Sequence, residues 1–229
     1  MKFEEFEQWL DQKQMKEHAD ALRQYLELLC EWSGKMNLTA IKDPEEILEK
    51  HFIDSILPLT QTEISGSAAD VGTGAGFPGL VWKIVKPELR MTLIEPTEKR
   101  CRFLREVIHT LNLTDIEVVN MRAEDYAKDH RESFDVVTAR AVANLNVLCE
   151  LCIPLVRIGG KFIAMKGAQA LEEKDAAQKA AETLGAWFAD AVSASLPKGD
   201  TRISLIYIKD KATPAKYPRN YGQIKKKPL

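Results

Sequence analysis

At 229 residues the chain has room for one large domain or for a core domain carrying a helical extension, and 45% hydrophobic residues supply a sizeable core. A formal net charge of −2 excludes a global basic field of the kind that advertises nucleic-acid binding, although segment totals can hide a local patch. No apolar run is long enough to span a bilayer and the acidic, amphipathic start is no leader peptide, which points to a cytoplasmic protein whose four cysteines stay reduced.

Residues 3–60 are expected to be helical. Phe3, Phe6 and Leu10, then Leu22, Leu26 and Leu29, recur at three- and four-residue spacing, and Gly34 supplies a stop. Asp43-Pro44 is an N-cap followed by a first-turn proline. In the helix it opens, His51 and Asp54 share a face and stand either at an active-site mouth or in an interhelical contact.

From Ser67 the pattern changes to short apolar strands alternating with helices. Strands are expected at 68–71, 91–95, 116–119, 134–138 and 161–166, the last turned in by Gly159-Gly160, with helices at 99–108, 145–156 and 168–184 between and after them. Trp187–Leu196 and Arg202–Ile208 form a closing hairpin. Alternation of this kind gives a Rossmann-like α/β fold, a mostly parallel sheet covered on both faces. The expected organisation is a helical extension over 1–60, a core domain over 61–210 and a basic C-terminal tail over 211–229. Cys149-x-x-Cys152 sits in an apolar helical stretch with no second Cys/His pair, so both thiols read as buried core and no metal site is expected.

The densest signal is Asp70-Val71-Gly72-Thr73-Gly74-Ala75-Gly76-Phe77-Pro78-Gly79, a strand end running into a glycine loop and then a helix. Glycines at this density allow a sharp turn and a close ligand approach, and Pro78 suits the first turn of the following helix. Gly74, Gly76 and Gly79 satisfy the dinucleotide spacing, and Glu95 lies about twenty residues on, so NAD and an oxidoreductase are one reading. Asp70 opposes it, because a carboxylate beside the loop repels a pyrophosphate but suits the ammonium and sulfonium of S-adenosylmethionine. A nucleotide-sensing RNA-binding protein without activity is a third reading. Ligands of such sheets lie beyond the strand C-termini. There Glu95 is placed for a ribose diol, Glu124 for an adenine edge, and Arg140 ends the fourth strand.

With those residues in view the chain resembles the bacterial small-subunit ribosomal RNA methyltransferase G (glucose-inhibited division protein B) family over nearly its whole length. The resemblance rests on Asn37-Leu38-Thr39-Ala40, Lys50-His51-Phe52-Ile53-Asp54-Ser55, the glycine loop with its Phe77-Pro78-Gly79, Arg122-Ala123-Glu124, Arg140-Ala141, Lys166-Gly167 and Lys216-Tyr217-Pro218-Arg219. It implies S-adenosylmethionine-dependent methylation of guanosine N7 in the 530 loop of 16S rRNA, with the rRNA or the small ribosomal subunit as partner. It also implies a cofactor pocket lined by Gly72, Phe77, Ala123, Glu124 and Arg140, which the loop reading extends to Asp70, Thr73, Gly74 and Glu95. Pro96 departs from the family's usual residue after the acid.

Guanine N7 carries no proton, so its methylation needs no general base, and the absence of an obvious one in the second half of the chain agrees with this chemistry. Arg140 is the candidate catalytic residue, either orienting guanine O6 or a phosphate with its fork or bracing the cofactor loop. Lys166, Arg202, Lys216, Arg219, Lys225, Lys226 and Lys227 are the candidate phosphate partners. Pro214, Pro218, Pro228 and Gly222 should keep the tail extended, as an RNA-binding arm with Tyr217 and Tyr221 interleaved.

Overall fold

A computed structural model describes residues 1–140 and 142–229; Ala141, part of the Arg140-Ala141 pair, lies outside the described residues. The expected helical start is present as α1 (Phe3–Gln12), a 3-10 turn and α2 (Ala19–Lys35). Their apolar positions bury Phe6, Leu10, Leu22, Tyr25, Leu26 and Leu29, each worth roughly 1.5–3 kcal/mol when removed from water. Gly34 does not stop α2; it sits within the last turn, and the chain leaves the helix at Met36. The Asp43 carboxylate accepts from the Glu45 N–H at 3.1 Å and caps α3 (Pro44–Ile47) as its sequence requires.

After α3 the chain runs through a π-helical turn (Leu48–Ile53) into α4 (Asp54–Gln61). Pi turns often mark functional sites because they shift carbonyls and side chains out of the regular helical register.

The α/β core follows: β1 (Ser67–Val71), α5 (Gly79–Val85), β2 (Arg90–Ile94), α6 (Glu98–Thr110), β3 (Ile116–Val119), α7 (Ala123–Tyr126), β4 (Phe134–Arg140), α8 (Leu145–Cys152), β5 (Val156–Lys166), α9 (Ala170–Thr183), β6 (Ala186–Ser195), β7 (Thr201–Lys209) and α10 (Tyr221–Lys226). The sheet order is β3-β2-β1-β4-β5-β7-β6. The first five strands pair in parallel and the closing hairpin runs antiparallel. Alternate residues of the central strands point to two hydrophobic layers. One holds Ala68, Met91, Leu93, Val136 and Ile163 beneath the N-terminal helices, α5 and α6. The other holds Ala69, Ile94, Val137, Phe162 and Leu205 beneath α8, α9 and the C-terminal segment.

Three local expectations change. Gly159 and Gly160 lie within β5 rather than before it: a Cβ on Gly160 would stand 2.7 Å from the Asp135 carbonyl, so only glycine lets the irregular start of the strand approach β4. Pro78 caps α5 from outside rather than opening its first turn. The C-terminal segment is not extended. Asn220 caps α10, Ile224 is fully buried and Tyr217 nearly so, because apolar contacts on the core overrule the local preference of Pro218 and Gly222.

Candidate functional site

The strand ends converge on the glycine loop. Gly74 (φ +61°) and Gly76 (φ +103°) adopt left-handed conformations. A Cβ on Gly76 would collide with Leu80 and with the Tyr25 hydroxyl, whereas one on Gly74 would meet no protein atom closer than 3.9 Å. Gly74 therefore faces open space, where a ligand has access.

Asp70 has a different part from the one its sequence position suggested. Its carboxylate is fully buried and is not among the residues lining the two cavities at the loop; Oδ2 accepts from the Thr73 hydroxyl at 2.6 Å and from the Gly79 N–H at 2.8 Å. Oδ1 finds no hydrogen-bond partner among the described residues. Burial pushes the carboxyl up to about 6 against the pull of those two donors and of Arg140. Asp70 thus clamps the loop from below instead of meeting a cationic ligand directly.

Two cavities meet at the loop. The larger, about 290 Å³, is lined by Gly72, Glu95, Pro96, Thr97, Arg100, Arg122, Ala123, Glu124, Val142, Leu151 and Tyr221, with Val71 and Ile94 at its base. Glu95 is almost fully buried; Oε2 accepts from the Gly74 N–H at 3.0 Å and Oε1 from the Thr97 N–H at 2.9 Å. Glu124 is nearly buried too, and burial raises its carboxyl above the usual carboxylate range. The second, about 180 Å³, holds Leu38, Thr39, His51, Thr73, Gly74, Ala75, Phe77 and Arg140, and shares Gly72 and Arg100 with the first. Buried acids line the first and open glycine backbone the second, and Gly72 and Arg100 border both. A nucleoside joined to an amino-acid chain fits that arrangement.

The N-terminal helices form one wall. Tyr25 donates to the Ala75 carbonyl at 2.5 Å and stacks on Phe77 at 5.3 Å, while Phe52 and His51 also pack on Phe77. Beyond His51 and Arg140 opens a third cleft of about 440 Å³, lined by Ile41, Lys50, His51, Asp54, Arg140, Met165, Lys166, Gly167, Glu173 and Arg202. Arg140 borders both this cleft and the loop cavity. Its Nη1 donates to the Lys50 carbonyl at 3.0 Å and to Asp54 Oδ2 at 2.8 Å, and its Nη2 lies 3.2 Å from His51 Nδ1. Asp54 reaches Arg202 with its other oxygen at 3.2 Å.

His51 is held neutral. Burial, and then the charge of Arg140, push its pKa down to about 4. A guanidinium only donates, so Nδ1 accepts from Arg140, and Nε2–H donates to the Thr39 hydroxyl at 2.8 Å. The Lys50 carbonyl, 3.0 Å from Nδ1, is served by Arg140 Nη1 in this arrangement. Both ring nitrogens are engaged, and both Asp54 oxygens face arginines.

The sequence-predicted residues thus divide. Gly72, Thr73, Gly74, Phe77, Glu95, Ala123, Glu124 and Arg140 line the two connected cavities, and Asp70 stands beneath them. Lys166 and Arg202 line the adjoining cleft; Lys166 is tied to Glu173 and to the Ala143 carbonyl, both at 2.8 Å. Arg219 is not a free cation: its guanidinium is forked onto the fully buried Glu150 at 2.8 and 2.5 Å, and its backbone N–H donates to the same carboxylate. Lys216, Lys225, Lys226 and Lys227 are exposed. Sequence reasoning missed Pro96 and Thr97, although they directly follow Glu95. It also missed Arg100, Arg122, Val142, Leu151 and Tyr221 as lining residues. Among the described residues no group of three or more His, Cys, Asp or Glu side chains is arranged to hold a metal, and no helix is long and apolar enough to cross a membrane.

Comparison with known proteins agrees with this site. The family model described as rRNA small subunit methyltransferase G (GidB) matches residues 18–198. The chain is 49% identical to the ribosomal RNA small subunit methyltransferase G of Acetivibrio thermocellus, over 93% of this chain and 89% of that one. It is 45% identical to the protein of that name from Geobacillus kaustophilus, with both chains covered completely. Among solved structures it resembles M. jannaschii TYW2 in complex with AdoMet (TM-score 0.58, 12% identity, 74% of this chain and 79% of that one). It also resembles a SAM-dependent methyltransferase from Aquifex aeolicus (TM-score 0.52, 16% identity, 72% and 93%). These two likenesses are of fold. The glycine loop, the buried acids at the strand ends and two near-complete sequence matches lead to one conclusion: the chain belongs to the rRNA small subunit methyltransferase G family, with S-adenosylmethionine as its cofactor.

Proposed function

We propose that the chain methylates N7 of a guanosine in the 530 loop of 16S rRNA, in the cytoplasm, taking the rRNA or the small ribosomal subunit as substrate. The observation that carries this reading is the cleft beside the glycine loop. It presents a fixed guanidinium, and among its described lining residues each acid and the imidazole is already tied: His51 has both nitrogens engaged, Asp54 lies between two arginines, and Glu173 holds Lys166 and the Leu145 N–H. Such a cleft suits a nucleophile that carries no proton to remove, as guanine N7 does.

The cofactor, when bound, supplies a methyl group on a sulfonium centre. Glu95 and Glu124 would hold its nucleoside end, and Gly72, Gly74 and Phe77 would bound the path of its amino-acid chain, since all five line the two cavities. Arg140 is held by the Lys50 carbonyl, Asp54 and His51, so its remaining N–H groups are pre-aimed at a guanine O6 or a neighbouring phosphate. Fixing N7 in line with the methyl group is then the main source of rate, since well-oriented pairs gain roughly 7–11 kcal/mol over free encounter. Lys166 and Arg202 supply cations for the flanking backbone. A base in folded RNA must leave its stack to enter the cleft.

Support comes from the family membership, the cavities at the glycine loop and a cleft whose acids and imidazole are engaged by partners. The division into a helical extension (1–60), a methyltransferase domain (61–210) and a basic C-terminal segment (211–229) belongs to the same proposal. The test is transfer of labelled methyl from S-adenosylmethionine to deproteinised 16S rRNA and to assembled small subunits. The methylated site is then mapped by borohydride and aniline cleavage, which breaks the strand at 7-methylguanosine. Cleavage at a guanosine of the 530 loop is expected. Label on an exocyclic amine or a hydroxyl would overturn the N7 assignment, and tight rRNA binding without transfer would make the chain a non-catalytic binder.

A further inference from the structure

The C-terminal segment borders the cofactor cavity. Tyr221, the first residue of α10, is the only aromatic residue among the described residues that line the 290 Å³ cavity, where it stands with Ala123, Val142 and Leu151. One contact of its own and three of its neighbours fix it there. The Arg122 guanidinium lies 5.1 Å from its ring centroid. The side chain of Asn220 caps the helix through the Gln223 N–H at 3.0 Å. Ile224, one turn on, is fully buried in the same core as Leu151. Two residues before Tyr221, Arg219 is locked onto the buried Glu150. The ring is therefore part of the folded site and not the end of a frayed tail.

The cavity has two chemical requirements to meet at its nucleoside end. Glu95 and Glu124 provide acceptors for polar edges, but a purine also presents two large π faces. Ala123, Val142 and Leu151 offer small apolar contacts. Only Tyr221 offers a ring, and Arg122 lies against that ring from a position that also borders the cavity. We propose that Tyr221 is a cofactor-binding residue that packs its ring on the adenine, so that α10 forms a wall of the S-adenosylmethionine pocket. This rests on the cofactor assignment, not on the choice of rRNA nucleotide. It gives the C-terminal segment a use that does not involve RNA.

The experiment is calorimetric titration of the full chain and of Tyr221→Leu and Tyr221→Phe with S-adenosylmethionine, with 5′-methylthioadenosine, which lacks the amino-acid chain, and with methionine. A base stacked on an aromatic ring loses about tenfold in affinity when the ring is removed. Tyr221→Leu should therefore weaken both adenosine ligands about tenfold, leave methionine unchanged, and be largely rescued by Tyr221→Phe. Parent affinity of Tyr221→Leu for both adenosine ligands overturns the proposal. A loss seen with S-adenosylmethionine but not with 5′-methylthioadenosine overturns the assignment of the ring to adenine. If Tyr221→Leu fails to fold, hydrogen exchange of the parent decides: residues 220–226 should gain protection when S-adenosylhomocysteine is added, and unchanged protection overturns the proposal. A parent chain that binds no adenosine ligand would instead strike at the cofactor assignment itself.

Discussion

The nucleoside cavity and the cleft beyond Arg140 adjoin the same glycine loop but are built by opposite means. The cavity is made mainly from residues that end consecutive parallel strands, namely Gly72, Glu95, Ala123 and Glu124, and its buried charges are carboxylates. The cleft is made where a helical segment, the π turn around Lys50 and His51, meets β4, β5 and β7, and its charges are mostly cations held by carboxylates. One region thus offers hydrogen-bond acceptors for a nucleoside and the other offers cations for a polyanion. Strand ends are dictated by topology, whereas the cleft exists only once the N-terminal helices have docked.

The contrast can be broken at the shared loop. Replacing Gly74 with Trp should weaken S-adenosylmethionine binding by at least about a hundredfold, because the side chain would enter the free space that Gly74 faces and the left-handed backbone disfavours it. Calorimetry checks this, with a thermal melt to confirm that the fold survives. Removing a cation behind the cavity or from the cleft separates structure from chemistry. Arg219→Gln should destabilise the fold by about 3 kcal/mol in chemical denaturation, since it leaves a buried Glu150 carboxylate unpaired. Arg140→Lys keeps the charge but loses the fork, and should lower the single-turnover transfer rate about a hundredfold while changing cofactor affinity far less.

Smaller effects sharpen the electrostatic contrast. His51 has its pKa depressed from 6.5 to about 4, so the folded chain binds fewer protons there than the unfolded chain. The stability it contributes is present above pH 6.5 and is lost as the pH falls towards 4, on the order of 3 kcal/mol relative to His51→Gln. Asp70, raised from 3.8 to about 6, acts in the opposite sense: its contribution is present below pH 3.8 and is lost as the pH rises to 6. The two nearly cancel in the parent, so the pH dependence of denaturation should steepen in the His51 variant. The same neutrality of His51 predicts a flat single-turnover profile from about pH 7 to 9, and a step in that range would overturn transfer without a general base. The smallest effect belongs to the exposed end of α10. Replacing Lys225, Lys226 and Lys227 with Gln should lower the log–log salt slope of rRNA binding by roughly 0.7–0.9 for each phosphate that is no longer neutralised. An unchanged slope would remove these lysines from the RNA surface.

How much of this was legible depended on how local each feature is. The glycine loop, the Glu95 and Glu124 positions and the Asp43 cap were legible because chain order alone places them. Asp70 was legible as important but not as a clamp: adjacency to the loop does not say whether a carboxylate points at a ligand or back at Thr73 and Gly79. The extended backbone expected of the tail was misread for a related reason. Its prolines, glycine and lysines describe an extended arm, and only the distant Glu150 and the apolar layer beneath α8 turn Arg219 and Ile224 inward. Leu151 and Tyr221 carry no local mark of the cavity that they share.

By itself the sequence determined the alternation of strands and helices, the turn that admits a nucleoside, and the acids waiting at the strand ends. These follow from periodicity, glycine backbone freedom and the position of residues along a parallel sheet. The tertiary structure decided which charges are free and which are paired. It engaged His51 through Thr39 and Arg140, set Asp54 between two arginines, locked Arg219 onto Glu150 and brought Tyr221 to the cofactor cavity. Pairing and burial depend on partners far away in sequence, such as Glu150 and Arg219, 69 positions apart, and it is burial that sets whether a charge is available to a ligand.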